Sequence, residues 1–289
     1  MRKSYLFICL LMLLLAGCSS EKVTETTAAP SEEAPRLVTT TAAVTNIFHA
    51  LDLHLVGVPT TVQALPERYA DAVEIGNPMS PDVELIASLK PTEVFSVTSL
   101  EYDLKDRFAQ LHIPATFVDL QGLEQMTTSI LDIGERYNRQ QQATQLVEDM
   151  QADISQLQAT IKEKDKPKVL ILLGIPGSYL VATEHSYIGD LVRLAGGENI
   201  AAGQQAEYLP SNTEFLHQSN PDVILRLAHG MPEQVVEMFN EEFQTNDIWK
   251  HFNAVQKGRV YDLQEPLFGT TATLEVTTAL QQLIDILYP

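Results

Sequence analysis

The chain has 289 residues, 45% of them hydrophobic, enough to bury a large core and to build two domains. Its formal charge is −19, from 19 basic and 38 acidic residues, so no basic surface is available to neutralise phosphates and nucleic acid is excluded as a partner. Both cysteines fall within the first 18 residues, which leaves the body of the chain without a thiol for disulfide or thiolate chemistry.

The chain begins with Arg2 and Lys3, followed by an apolar run over 5–15 that is too short to span a bilayer, a pattern that reads as an export signal covering 1–17. Leu15-Ala16-Gly17-Cys18 resembles a bacterial lipobox, which implies that Cys18 is the lipid-modified first residue of an extracytoplasmic, membrane-anchored protein. Residues 18–35 are polar, contain two prolines and show no apolar period, so a disordered tether is expected.

From 36 to 137 strand and helix alternate. A β-rich run at 36–41 precedes a helical pattern at 43–53 and a short strand at 55–59. Residues 76–81, Gly-Asn-Pro-Met-Ser-Pro, form a loop by composition, and a helix over 82–89 has Ser80 or Asp82 as its N-cap. A strand at 93–97, a helix at 104–110, a strand at 115–118 and a helix at 123–137 follow, as in a parallel sheet covered on both faces.

Residues 138–164 then carry Ala143, Leu146, Val147, Met150, Ile154, Leu157 and Ile161 at steps of three and four, with no Gly or Pro between. A helix of that length would be a rod of roughly 40 Å, and its single narrow apolar stripe suits a strut lying across two bodies. Beyond it the pattern restarts: a buried strand at 168–173, a turn at 174–178, a strand at 179–182, and a helix at 187–195 closed by Gly196-Gly197. Helices are expected at 213–218, 232–239, 245–251 and 271–287, and strands at 223–227 and 260–263. The expected fold is therefore α/β, with two Rossmann-like lobes of parallel-rich sheet, 36–137 and 165–289, joined by one long helix over 138–164.

The two parts share a plan. Glu84 stands seven residues before Pro91, and Glu214 seven before Pro221, each opening a short helix that runs through a Pro-led turn into a buried strand.

Three stretches resemble the substrate-binding proteins that feed siderophore, cobalamin and haem importers: PDVELIASLKPTEVF, SYIGDLVRLAGGENIA and TEFLHQSNPDVIL. The resemblance implies two lobes meeting over a shallow groove, with a helical connection that allows only small closure. GNPMSPD (76–82) and RLAHG (226–230) are similar to the haem-receptor lipoproteins of Isd-type haem importers. There a Met of the first lobe and a His of the second ligate the iron from opposite faces, roles that fall here on Met79 and His229.

The residues suit that chemistry. Haem iron accepts thioether sulfur and imidazole nitrogen as axial ligands. Met79 sits between Pro78 and Pro81 and belongs to no periodic apolar face, although Met also serves as adaptable packing. His229 directly follows a predicted strand, where open parallel sheets place their ligands. His185, beside a helix start, is the second choice; His49, His54, His112, His217 and His251 hold ordinary positions, and no zinc-type spacing occurs. For the two propionates the helix start at 43–46, with Val44 and Thr45, is the expected cradle, aided by Arg68 and Tyr69. Tyr179 and Phe268 are candidate walls for the macrocycle by loop position.

The resemblance further implies that Glu84 and Glu214 pair with arginines of an ABC transporter permease; on residue grounds alone each would simply favour a helix N-terminus. The expected function is a monomeric, lipid-anchored haem receptor delivering its cargo to that permease for iron uptake, with upstream haem-donor surface proteins as candidate partners. A siderophore or cobalamin receptor is the alternative, and few arginines lie in the predicted groove loops. An enzyme is the remote one, since Gly174-Ile175-Pro176-Gly177-Ser178 is not a nucleophile elbow.

Overall fold

Leu37-Val38-Thr39 is buried throughout and becomes β1 (Leu37–Thr39), the central strand of the first sheet. The computed structural model describes residues 34–212, 216, 218–229 and 231–289. The expected export signal, Cys18 and most of the tether lie outside the described residues, as do Glu214, His217 and Gly230.

After β1 come α1 (Ala42–Ala50), β2 (Leu55–Val58) and β3 (Val73–Glu74). A small hairpin follows, β4 (Gly76–Asn77) and β5 (Ser80–Pro81), then α2 (Val83–Ser88), β6 (Glu93–Val97), α3 (Glu101–Gln110), β7 (Ala115–Val118) and α4 (Leu123–Arg136). The first sheet runs β3-β2-β1-β6-β7 with every pair parallel, so all five strands end on the same edge. The stretch expected as a loop at 76–81 is the hairpin, which hangs from the carboxyl end of β3.

The strut is α5 (Gln140–Ile161), 22 residues and about 33 Å long. It starts at Gln140 and not at 138 as expected, because Asn138 adopts a left-handed backbone (φ +56°) and the Arg139 N–H closes back on the Gly134 carbonyl at 2.7 Å. Gly134 also lets the two helices touch, since a Cβ there would come within 2.4 Å of the Ala143 Cβ. Ala143, Val147, Met150, Ile154 and Ile161 are buried, as the periodicity requires.

The second sheet contains β8 (Lys168–Ile175), β9 (Ser178–Ala182), β10 (Glu198–Asn199), β11 (Tyr208–Pro210), β12 (Val223–Ala228) and β13 (Val260–Leu263). Its order is β11-β9-β8-β12-β13, with β10 also on β8; β8, β12 and β13 are parallel and share a carboxyl edge. Its described helices are α6 (Tyr187–Leu194), α7 (Pro232–Thr245), α8 (Asp247–Lys250), α9 (Asn253–Gln256) and α10 (Val276–Leu287). The helix expected to end at 239 continues to Thr245, while 245–251 is only one turn, opened by the Asn246 side chain accepting from Ile248 N–H.

One continuous apolar cluster joins the first sheet, α4, α5, α6, α10 and one face of the second sheet. A second cluster, with Trp249 and Phe239 at its centre, fills the other face of the second sheet. Away from the strut the halves also touch directly: Ala272 N–H donates to the Leu120 carbonyl at 2.7 Å.

Candidate functional site

Met79 occupies the turn of the β4–β5 hairpin. Asn77 Oδ1 accepts from Ser80 N–H at 3.0 Å across the turn, and Gly76 supplies the left-handed backbone (φ +94°) that starts it. The base is tied by Thr60 N–H to the Gly76 carbonyl and by Asp82 N–H to the Ile75 carbonyl, 2.9 and 2.7 Å. Asp82 in turn caps α2 through Leu85 N–H, so its carboxylate and not Ser80 is the N-cap. The thioether is thus held out in water, 64% exposed, on a short anchored turn at the carboxyl edge of the first sheet.

His229 leaves the carboxyl end of β12. Its N–H donates to the Gly174 carbonyl at 2.9 Å, which prolongs the ladder to β8 and fixes its backbone. The ring is 44% exposed, with Nδ1 3.3 Å from Glu265 Oε1. An ionised carboxylate only accepts, so Nδ1–H is the donor in this contact, and in the neutral imidazole Nε2 is then the nitrogen with a lone pair to offer a metal.

The chain order of these two edges brings other expected residues to different places. Val44 and Thr45 do open α1 at the carboxyl edge of β1, but both side chains are fully buried; the Thr45 hydroxyl donates to the Thr41 carbonyl at 2.8 Å. What this helix start offers an anion is backbone N–H. Arg68 and Tyr69 do not flank it: Arg68 pairs with Asp52 at 2.6 Å, and the Tyr69 hydroxyl donates to the Leu53 carbonyl at 2.8 Å. Both partners follow the far end of α1, about 13 Å from its start.

Tyr179 is not an open wall either. Its ring packs on Phe239 and Trp249 and its hydroxyl donates to Glu242 at 3.2 Å. Burial, with Glu242 beside it, pushes its phenol up to about 12. Phe268 is 3% exposed and belongs to the core. His185 lies half exposed, with Nε2 3.9 Å from Glu184. Glu84 is exposed in the first turn of α2. A cavity of about 450 Å³ on Val181, Ile200 and Leu209 touches neither Met79 nor His229.

The family model for periplasmic binding proteins matches residues 37–267. The chain belongs to that family. The high-affinity heme uptake system protein IsdE of Staphylococcus aureus (strain Newman) is 46% identical over 278 residues, 96% of this chain and 94% of its own length. The crystal structure of S. aureus IsdE complexed with heme matches at a TM-score of 0.85 and 47% identity, covering 88% of this chain and 99% of that one. An ABC transporter substrate-binding protein from Listeria monocytogenes EGD-e matches at 0.85 and 53%, covering 89% and 99%. The expected α/β class, with its parallel-rich sheets and long helix, is that of this family.

In this periplasmic binding protein, six large apolar side chains are exposed among the described residues, and four of them follow strand carboxyl ends: Val62, Met79, Tyr102 and Met231. Val62 lies in the loop after β2, Tyr102 in the first turn of α3 after β6, and Met231, with a left-handed backbone (φ +46°), two residues past His229. Sequence reasoning missed all but Met79. The signal was present: an apolar residue in a segment leaving the carboxyl end of a strand, outside any buried period.

Proposed function

We propose that this chain is an extracytoplasmic haem receptor that takes haem between the carboxyl edges of its two sheets and delivers it to the permease of an ABC importer. The observation that carries this reading is the match to the haem complex of IsdE across 88% of the chain. The donor set agrees with it, because thioether and imidazole from Met79 and His229 would complete a six-coordinate iron, a pair that favours the reduced metal. Exposed Val62, Tyr102 and Met231 suit the faces of a flat apolar macrocycle. First-turn N–H groups of α1 suit a propionate.

In this reading 36–137 and 165–289 act as lobes and 138–164 as the strut between them. Residues 1–17 are the export signal, Cys18 bears the lipid anchor, and 18–35 tether a monomer to the outer face of the cell membrane. Glu84 and Glu214 meet cationic groups of the permease, and haem arrives from surface proteins upstream. The thioether, the weaker ligand, leaves the iron first on transfer. The test is a haem-loss comparison between Met79→Ala and His229→Ala proteins, read by stopped-flow absorption: faster loss from the second supports ordered release, and equal rates refute it.

A further inference from the structure

We infer that Glu265 is a positioning residue for the iron ligand: it holds His229 by the Nδ1–H so that Nε2 faces the haem, and its charge sets the reduction potential of the bound iron. This rests on the haem-receptor reading above. It begins with strand register. β12 and β13 run parallel with Arg226 opposite Asp262 and Leu227 opposite Leu263. Residues 229 and 265 each stand two positions further on, so the two chains leave the sheet side by side and set imidazole against carboxylate.

The same spacing produces two pairs of a nitrogen base with a carboxylate, of different character. Arg226 and Asp262 are locked within the sheet by two contacts of 2.7 and 2.6 Å, with the Arg226 side chain 8% exposed. The outer pair, His229 and Glu265, stands at 3.3 Å with both side chains nearly half exposed. The inner pair is built for stability. The outer one has no such packing value, and its exposed geometry points outward from the carboxyl edge where the ligand is expected.

The backbone of His229 is already fixed by its bond to Gly174, so only the ring torsions remain free. A half-exposed imidazole without a partner would sample several rotamers and both neutral tautomers. The Glu265 carboxylate selects the Nδ1–H tautomer and one ring plane, leaving the unprotonated Nε2 as donor. It also makes the imidazole more electron-rich, which stabilises ferric iron and offsets the preference of the Met79 thioether for ferrous iron.

Two variants of the otherwise intact chain test this, Glu265→Gln and Glu265→Ala, loaded with hemin beside the parent. The readouts are the midpoint potential of the bound haem and the rate of haem loss to excess apomyoglobin. Glu265→Ala is expected to bind a six-coordinate haem, to favour ferrous iron about tenfold more than the parent (about 59 mV for one electron), and to lose haem roughly tenfold faster. Glu265→Gln keeps an acceptor for Nδ1–H but no charge, so its potential should rise while its loss rate stays near the parent's. A Glu265→Ala protein that holds haem at the parent's potential and loss rate overturns the inference alone. A parent that takes up no haem overturns the receptor reading, and this inference with it.

Discussion

The backbone N–H of Leu123, at the start of α4, donates to Asp190 Oδ2 of α6 at 2.8 Å. The N-cap position of α4 is Gly122, which has no side chain to cap with, so a carboxylate from beyond the strut performs that task. Asp190 also pairs with Arg193 in its own helix. A helix before α5 is thereby finished by a residue after it, and this tie joins the two parts in addition to the strut and the Ala272–Leu120 bond.

Asp190→Ala should therefore destabilise the protein by about 1 kcal/mol, the usual worth of a helix N-cap. Asp190→Asn, which keeps an acceptor, should cost less. Urea unfolding of the two variants measures this, and equal midpoints with the parent would mean that the inter-part cap contributes nothing.

The inner pair of the second sheet should weigh more. Arg226 is 7% exposed and lies against the rings of Phe239 and Phe243, 5.4 and 5.0 Å from their centroids. Asp262→Ala leaves that guanidinium buried with Asn240 as its remaining polar partner at 3.1 Å. A loss of about 3 kcal/mol is expected, because an uncompensated buried charge costs more than its pair was worth. Denaturant midpoints for Asp262→Ala and for Arg226→Met separate the two effects: the second should be the milder change.

Stability should fall in alkali. Burial pushes the Tyr69 and Tyr179 phenols up to about 12, from an ordinary value near 10. Between those values the unfolded chain loses protons that the folded one keeps, so the stabilisation is whole below about pH 10 and declines through about pH 12. Thermal melts across that range check the sign, and Tyr69→Phe should flatten the slope.

How far the sequence could be read depended on the range of the interaction. The α5 stripe was legible because helix periodicity is local: Ala143, Val147, Met150, Ile154 and Ile161 announce their buried face with no knowledge of what covers it. The place of His229 was legible for a related reason, since the β-rich run at 223–227 sets it just past a strand end, although its role as a ligand came only from the resemblance of RLAHG. Side-chain direction was not. Tyr179 and Phe268 have the loop neighbourhood of wall residues, yet one turns into the Phe239–Trp249 cluster and the other into the core. Arg68 was set beside the wrong end of α1 because its partner, Asp52, is chosen by tertiary approach and not by spacing. Glu265 escaped notice altogether: its place beside His229 follows from the pairing of two strands some 36 residues apart, a register that no local pattern encodes.

Loss of the two candidate ligands should differ in rate. Met79→Ala leaves haem on an imidazole and His229→Ala leaves it on a thioether, so the second should release its cargo more than about tenfold faster, the scale of losing a supporting interaction at a metal site. Rapid mixing with a haem acceptor measures both.

The most direct measurement is an absorption titration of the folded protein with hemin, repeated on the Met79→Ala/His229→Ala double variant. One haem per chain with a six-coordinate, low-spin spectrum in the parent, abolished in the double variant, is the expected result. A parent that gives no such spectrum, or a double variant that gives the same one, would contradict the assignment of sulfur and imidazole as the groups that grip the iron.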